Sequence, residues 1–391
     1  MRTRLVIFAL ALTMGFSITP AKAYLGPESI PEAFNQLLNA RALSNPAMIL
    51  IDETTGEVVY ERKSTSLRKP ASVMKILSAA AILQYLDPQS SFETKAYLGT
   101  DTKTLVIQGS LDPWISTNSA QAKKMHRTSL PVLASRSMSA LKDANHGSLR
   151  NIKVEYSRLY TQDIIALKSY WAKRGFKPTI KAVSSQAVTP GEGEPVFTSQ
   201  SPTVAEILDF TLLWSDNLLA ERLARLASVA AGYGANATGI SLAINELLIH
   251  LNIDGSKLVI VDASGISKKN RVSAKVVGEL LYSLRSNEKF ALLYSSLPIG
   301  GVSGTLKDRF ITTAPNAVGL VHAKTGTLNG TVTLAGYVQS GNREYVFVTL
   351  ADELPRGTLA EHKARAAIDR LLGRIAAPNI DAEISSGSAN P

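Results

Sequence analysis

Both ends of this 391-residue chain carry the pattern of a β-hairpin, and this feature limits its possible folds more than any other. Near the N-terminus, "AMILIDETTGEVVYERK" has two β-rich runs around a turn at residues 54–56. Near the C-terminus, "TVTLAGYVQSGNREYVFVTLAD" turns at residues 340–342. An isolated hairpin is at best marginally stable, so we expect both hairpins to join one antiparallel sheet.

Between and beside the hairpins, apolar residues recur at helical spacing. One helix follows Pro70, and its apolar positions predict a buried stripe on one side. The run "KLVIVD", residues 257–262, predicts a strand. Further helical patterns cover residues 30–43, 202–232 with a break at 214–217, 240–251, 273–286 and 359–375. Helices packed on an antiparallel sheet predict an α+β fold.

The first 23 residues have the pattern of a secretory signal peptide. Arg2 and Arg4 precede an apolar stretch, and the small residues Ala21 and Ala23 occupy the positions that a signal peptidase inspects. We therefore expect a secreted protein, extracellular, in the cell wall or in a periplasm. No later stretch approaches the ~20 apolar residues of a membrane span. The polar tail, residues 377–391, is predicted to be disordered.

Cysteine is absent, which excludes disulfides, thiolate catalysis and cysteine metal sites. The five histidines form neither an H-E-x-x-H motif nor a cluster. The sequence therefore predicts an enzyme or binding protein that needs no metal and no other cofactor.

Outside the predicted signal peptide, the excess positive charge lies in one segment, residues 98–195, with 14 Lys or Arg against 7 Asp or Glu. This imbalance predicts a separate inserted domain between two parts of a main domain, residues 24–97 and 196–376. The basic residues of the inserted domain form either a solvated face or a binding surface for an anionic extracellular polymer. Nucleic acid is not an expected partner outside the cell. Examples are Lys123, Lys124, Arg127, Lys173, Arg174, Lys177 and Lys181.

Ser72 and Lys75, in "KPASVMKILSAAAILQYL", form an S-x-x-K motif at the start of an apolar helix. Three residues along a helix bring two side chains to one face, and the N-terminal N–H groups favour an oxyanion there. A lysine can act as the base for a serine if its pKa is lowered. The motif occurs three more times, and none of the other copies begins an apolar helix. The alternative interpretation is an ordinary amphipathic helix.

Two further short motifs have a possible chemical use. Ser215-Asp216-Asn217 interrupts an otherwise apolar helical run, although Ser215 is also a plausible cap for the second helix. Lys324-Thr325-Gly326 is the chain's only K-T-G, and it precedes a predicted strand. The alternative interpretation without a chemical role is a β-turn that leads into the hairpin. As a second cation, Lys324 could lower the pKa of Lys75. The threonine hydroxyls could bind a carboxylate, and Gly326 leaves room for a substrate backbone.

S-x-x-K, S-D-N and K-T-G in this order are the signature of penicillin-binding proteins and class A β-lactamases. The chain resembles the serine D,D-peptidases over nearly its whole mature length. The segments "SDNLLAERL", "VDASGISKKNRVS", "LPIGGVSGTLKDR" and "AKTGTLNGTVTLAGYV" are similar to the low-molecular-mass class C group, the D-Ala-D-Ala carboxypeptidase/endopeptidases. The resemblance implies a transpeptidase fold with a helical subdomain, peptidoglycan stem peptides as substrates and β-lactam antibiotics as inhibitors.

The resemblance also implies residue roles. Ser72 would be the nucleophile, Lys75 its base, and Ser215 the proton relay to the leaving D-alanine. Asn217 would position the substrate amide. The terminal carboxylate would be received by Lys324, Thr325 and Thr327, with Gly326 beside them, and the N–H groups of Ser72 and Thr327 would form the oxyanion hole.

Some features depart from the pattern or stay open. The insertion is shorter than usual for class C, and "IQGSLDPWIS" replaces a glycine-rich version, which leaves endopeptidase ability open. The turn around Asp262, Ser264 and Gly265 is interpreted as structural, and Arg309 as either a carboxylate ligand or a surface salt bridge. A serine β-lactamase and a catalytically silent wall-binding protein are the alternative functions.

Overall fold

The computed structural model describes residues 25–38, 42–185 and 193–379. Its strands are β1 (Ala47–Asp52), β2 (Val58–Arg62), β3 (Glu93–Leu98), β4 (Thr104–Gln108), β5 (Lys153–Ser157), β6 (Thr179–Ala182), β7 (Phe197–Gln200), β8 (Val321–Leu328), β9 (Thr331–Ser340) and β10 (Arg343–Ala351). Its helices are α1 (Ile30–Leu38), α2 (Met74–Tyr85), α3 (Ser119–Lys124), α4 (Leu130–Ala144), α5 (Thr161–Ala172), α6 (Val204–Trp214), α7 (Asn217–Ala230), α8 (Ala237–His250), α9 (Ala274–Arg285), α10 (Ala291–Ser295) and α11 (Thr358–Gly373). The predicted signal peptide and residues 380–391 of the predicted tail lie outside the described residues.

The two terminal hairpins join one antiparallel sheet of five strands, in the order β2-β1-β10-β9-β8. β1 pairs with β10 along its whole length, from Ala47 opposite Leu350 to Asp52 opposite Tyr345. The predicted sheet built from both ends of the chain is therefore confirmed, and with it the α+β class. β8, which carries the K-T-G motif, lies at one edge of this sheet.

The sheet is covered on both faces, which explains why all six residues of β1 are buried. Successive strand residues point to opposite faces. Ile49 and Ile51 pack in a core with α2 and α9, whereas Met48 and Leu50 pack in a second core with α1 and α11. The main body thus has three layers, helices on sheet on helices.

Helix α2 is buried on every side from Met74 to Leu83, not along the one stripe that the sequence predicted. The residues of the predicted stripe are buried, and the prediction was incomplete because the small alanines on the other faces allow close packing against α7 and α8. A helix that is apolar all round is a core helix. Lys75 is therefore a lysine of the protein interior, only 1% exposed.

A second, mixed sheet has the order β6-β5-β4-β3-β7, with β4, β5 and β6 parallel. Its own core includes Leu105, Val154 and Trp171. Its strands run from Glu93 to Gln200, so they extend a few residues beyond the predicted limits of 98 and 195 at both ends. The independence of this unit as a domain stays a prediction.

Most of the basic residues named as examples in this segment are exposed, but Arg127 is not. Its guanidinium donates to the carbonyl of Trp114 at 2.7 Å and lies 4.6 Å from the centre of the Trp114 ring. Arg127 therefore has a structural contact and is removed from the candidate polymer-binding face.

The predicted strand at residues 257–262 is absent, and only a single bridge joins Val259 to Arg271. Val259 and Val261 are 43% and 37% exposed, so their β-branched pattern does not mark a buried strand. The N–H group of Val261 donates instead to the side chain of Asn270. Over the described ranges, the helices are all too short or too polar to cross a bilayer.

Candidate active site

Ser72 lies in a 3₁₀ turn, Ala71–Val73, immediately before α2. Ala71 has a positive φ of 47°, which is a strained conformation for an alanine. Strain of this kind is concentrated at functional sites. Two glycines make room for the turn: a Cβ on Gly265 would lie 1.8 Å from the Ala71 carbonyl oxygen, and one on Gly326 would lie 2.9 Å from the Ser72 nitrogen.

Lys75 has three hydrogen-bond acceptors, one for each donor of an ammonium group. Its Nζ lies 3.0 Å from the Ser72 Oγ, 2.7 Å from the Asn217 Oδ1 and 2.7 Å from the Ser264 carbonyl oxygen. These contacts join α2, α7 and the loop before α9. They fix the lysine in the position from which it can take the Ser72 proton.

Burial lowers the pKa of Lys75 to about 8, although the carboxylates of Asp216, Asp262 and Glu221 oppose this shift. Lys324 is fully buried, and both its burial and the charge of Lys75 lower its pKa well below the usual value. The sequence interpretation was that Lys324 lowers the pKa of Lys75. The structure assigns the main effect on Lys75 to burial, while the repulsion between the two lysines acts on Lys324.

The loop that provides the Ser264 carbonyl is held by two carboxylates. Glu221 accepts the N–H groups of Ala263 and Ser264 at 2.8 and 2.9 Å. Asp262 accepts from the Gly265 N–H at 2.6 Å, and Gly265 has a φ of +83°. The interpretation of residues 262–265 as a structural turn agrees with these bonds, and the turn also contacts Lys75.

No motif predicts the part played by Glu221, because its partners lie 42 and 43 positions away. Its position one helical turn after Asn217 is the local feature that could have pointed to it. Glu221 is therefore a residue that holds the site but that motif reasoning missed.

Ser215, Asp216 and Asn217 form the break between α6 and α7, as the sequence predicted. The cap of α7 is the side chain of Asp216, which accepts the Leu219 N–H at 2.9 Å, so the interpretation of Ser215 as that cap was wrong. Ser215 instead ends α6 in a left-handed conformation with φ 61°. The break brings Asn217 to Lys75, where its Oδ1 accepts a hydrogen bond at 2.7 Å, while the role of Ser215 stays a prediction.

The K-T-G residues lie on β8 with different surroundings. The Nζ of Lys324 donates to the Thr325 carbonyl at 3.1 Å. Thr325 and Thr305 share a hydroxyl hydrogen bond of 2.8 Å, and Thr327 is exposed. A Cβ on Gly326 would lie 2.2 Å from the Thr333 Oγ1, so close packing against the Ser72 turn requires this glycine.

Arg309 is not a surface residue. It pairs with Asp369 of α11, and the two side chains are only 12% and 4% exposed. It also donates to the backbone carbonyl of Arg365 at 3.1 Å. The predicted salt bridge is present, but it is mostly buried and not on the surface, and it fastens α11 to the loop before β8. Carboxylate binding by Arg309 stays a prediction.

Within residues 25–38, 42–185 and 193–379, no group of His, Cys, Asp or Glu side chains is arranged to hold a metal ion. The site described above consists of a serine, two buried lysines and their hydrogen-bond partners. In such a site, the Ser72 hydroxyl can attack a substrate carbonyl and form an ester when Lys75 is neutral.

Comparison with known proteins finds that this chain is similar to peptidases over most of its length. The model of the D-Ala-D-Ala carboxypeptidase 3 (S13) family matches residues 32–136 and 140–375. A carboxypeptidase DacB of Mycolicibacterium smegmatis is 28% identical over 382 residues, which cover 85% of this chain and 81% of the relative.

Solved structures give the same result for the fold. Penicillin-binding protein 4 of Haemophilus influenzae has a TM-score of 0.67 at 18% identity, covering 90% of this chain and 99% of that one. A predatory peptidoglycan endopeptidase of Bdellovibrio bacteriovorus, Bd3459, has a TM-score of 0.54 at 18% identity, with coverages of 78% and 85%. At these identities the likeness establishes a shared fold.

Proposed function

The chain belongs to the S13 family of D-Ala-D-Ala carboxypeptidases, as a low-molecular-mass class C penicillin-binding protein, and from this membership we propose that it trims peptidoglycan stem peptides through an acyl-enzyme on Ser72. The observation that carries the proposal is the 3.0 Å contact between the Ser72 Oγ and the Nζ of Lys75, a buried lysine. The substrate lies outside the cytoplasm, so we expect the enzyme to act in a periplasm or at the cell wall.

In the proposed reaction, neutral Lys75 takes the Ser72 hydroxyl proton while the Oγ attacks the carbonyl between two D-alanines. The N–H groups of Ser72 and Thr327 stabilise the oxyanion, each donor being worth about 3–4 kcal/mol. Ser215 relays this proton from Lys75 to the nitrogen of the leaving D-alanine, and Asn217 holds the substrate amide. Water then hydrolyses the ester and regenerates Ser72.

β-Lactams enter the same reaction, because their strained amide acylates Ser72 in place of the stem peptide. The structure of Haemophilus influenzae penicillin-binding protein 4 with a β-lactam, whose fold this chain shares, supports this expectation. A peptidase forms a long-lived β-lactam ester, whereas a β-lactamase of the same fold hydrolyses it rapidly. The lifetime of the ester separates the two functions.

The test measures D-alanine release from an acyl-D-Ala-D-Ala peptide and labelling by fluorescent penicillin. We expect persistent labelling and D-alanine release by the wild type, and the loss of both in Ser72→Ala. Rapid turnover of the antibiotic would show a β-lactamase. Unchanged D-alanine release by Ser72→Ala would refute the assigned nucleophile, and a wild type that shows neither labelling nor release would indicate a catalytically silent wall-binding protein.

Mass spectrometry of muropeptides before and after incubation then distinguishes two products. Loss of one D-alanine per stem shows carboxypeptidase activity, and cleavage of crosslinks shows endopeptidase activity.

A further inference from the structure

A cavity of about 670 Å³ lies beside β8, beyond the K-T-G threonines. Its walls come from β8, from the loop that precedes it and from α11, the last helix of the described chain. This is more room than a single alanine residue fills, and its size is typical of a site for a small ligand. The cavity adjoins the edge of the sheet at which Ser72 lies, so the leaving residue of a substrate that acylates Ser72 can enter it.

The polar groups of this cavity are mostly hydrogen-bond donors. The hydroxyls of Thr305 and Thr325 are 2.8 Å apart, and the Nη2 of Arg365 lies 3.2 Å from the Thr327 Oγ1. Lys324 is fully buried behind them, and its Nζ donates to a backbone carbonyl. The cations that line the cavity are therefore arginines, not the lysine of the motif.

The two arginines of the cavity differ in how far they are already engaged. Arg309 is paired with Asp369, which also accepts the Thr313 hydroxyl at 3.0 Å. Arg365 is more exposed, at 28% of its side chain, and its acidic neighbour is Glu361 at 3.4 Å, one turn earlier on the same helix. A pair at this spacing on a helix surface is weak, so Arg365 can exchange it for a ligand.

We propose that Arg365 binds the carboxylate of the leaving residue, together with the hydroxyls of Thr325 and Thr327. A guanidinium can donate two parallel hydrogen bonds to one carboxylate, which fixes its orientation as well as its charge. This proposal rests on the proposed D,D-peptidase function, because it assigns the ligand of the same site. The exposed Asp308 also lines the cavity, so bulkier leaving residues with a second, cationic group have a partner there.

Arg309 has a different part in this arrangement. Its Nη2 donates to the backbone carbonyl of Arg365, so it holds the turn of α11 that carries the binding residue. Arg309 is therefore a positioning residue, and Arg365 is the residue that contacts the substrate.

The experiment compares Arg365→Gln with the wild type on two peptides, acyl-D-Ala-D-Ala and its C-terminal amide. Loss of a charge-assisted hydrogen bond should lower kcat/KM for the free acid by about 10- to 100-fold and leave the amide nearly unchanged. Lys363→Gln, an equal loss of charge at an exposed site on the same helix, is the matched control and should behave as the wild type. A purely structural defect would lower both substrates together, which would overturn the proposal.

A second measurement does not depend on peptide hydrolysis. Penicillin carries a free carboxylate, and its methyl ester does not, so Arg365→Gln should slow the acylation of Ser72 by the acid and not by the ester. Equal rates for the variant and the wild type with penicillin would refute the role of Arg365. If the wild type is acylated by penicillin but releases no D-alanine, the proposed peptidase function is wrong. The comparison of penicillin with its methyl ester still decides whether Arg365 binds the carboxylate.

Discussion

The two sides of the Ser72 cleft are built in opposite ways. On the helical side, the three donors of Lys75 each meet an acceptor from the protein, in the 3₁₀ turn before α2, on α7 and in the loop before α9. On the strand side, Thr327 is exposed and Arg365 faces an open cavity with a weak acidic partner. The difference teaches that the proposed base and its partners are in place before the substrate arrives. The groups proposed to bind the substrate carboxylate, in contrast, gain their full set of partners only when the substrate is bound.

The same contrast holds for the two buried lysines. Lys75 has the carboxylates of Asp216, Asp262 and Glu221 in its surroundings, and its pKa stays at about 8. Within the described part of the chain, no carboxylate opposes the effects on Lys324, whose pKa is lowered well below the usual value by its burial and by the charge of Lys75. A lysine that gains and loses a proton near neutral pH suits a base, and here that lysine is on the helical side.

The largest effect is expected from Lys75→Met. The change removes the proposed base while keeping the length of the side chain, so acylation of Ser72 by penicillin should slow by about 10³-fold or more. Stopped-flow or gel measurement of the labelling rate checks this. Lys69→Met, outside the cleft contacts of Lys75, serves as the control and should keep its rate. If Lys75→Met is acylated at a rate within tenfold of the wild type, Lys75 is not the base.

The next effect is one of stability, on the strand side. Arg309→Met leaves the nearly buried carboxylate of Asp369 without its charge partner, which typically costs about 3–5 kcal/mol in the free energy of unfolding. Urea unfolding followed by circular dichroism measures it. The double variant Arg309→Met/Asp369→Leu should recover much of the loss, since a packed apolar pair can replace a buried ion pair. A single variant as stable as the wild type would show that this pair does not hold α11.

The hairpins show what could be predicted about the fold from local signals. Their turns and alternating runs are contained within about twenty residues, so the sequence indicated them correctly, and the sheet followed from their need to be paired. The run at 257–262 failed because a strand also needs a neighbour, and Val261 finds the side chain of Asn270 instead. Helix α2 was only partly foreseen, since periodicity does not reveal that small alanines let every face be buried.

The candidate site divides in the same manner. Ser72 and Lys75 could be predicted because a helix places residues three apart on one face. The acceptor at Ser264 lies 189 positions from Lys75, and Arg365 lies 38 positions from Thr327, so no local pattern connects them. These contacts depend on how α7, α11 and the loops pack, which is a property of the whole fold.

The smallest effect is a shift in a pH profile, and it tests the helical side alone. Protonated Lys75 cannot accept the Ser72 proton, so acylation should rise with pH and level off above about pH 8. Glu221 raises the pKa of Lys75, so Glu221→Gln should lower that pKa and move the midpoint of the profile to lower pH. The glutamine oxygen can still accept the N–H groups of Ala263 and Ser264, which keeps the loop in place.

The control is Glu279→Gln, which removes a partly exposed carboxylate on α9 and should leave the midpoint unchanged. Two outcomes would contradict the assignment of Lys75 as a base whose pKa is raised by Glu221: a midpoint that moves to higher pH, or one that moves equally in both variants. Only removal of a negative charge that faces Lys75 should move the midpoint to lower pH.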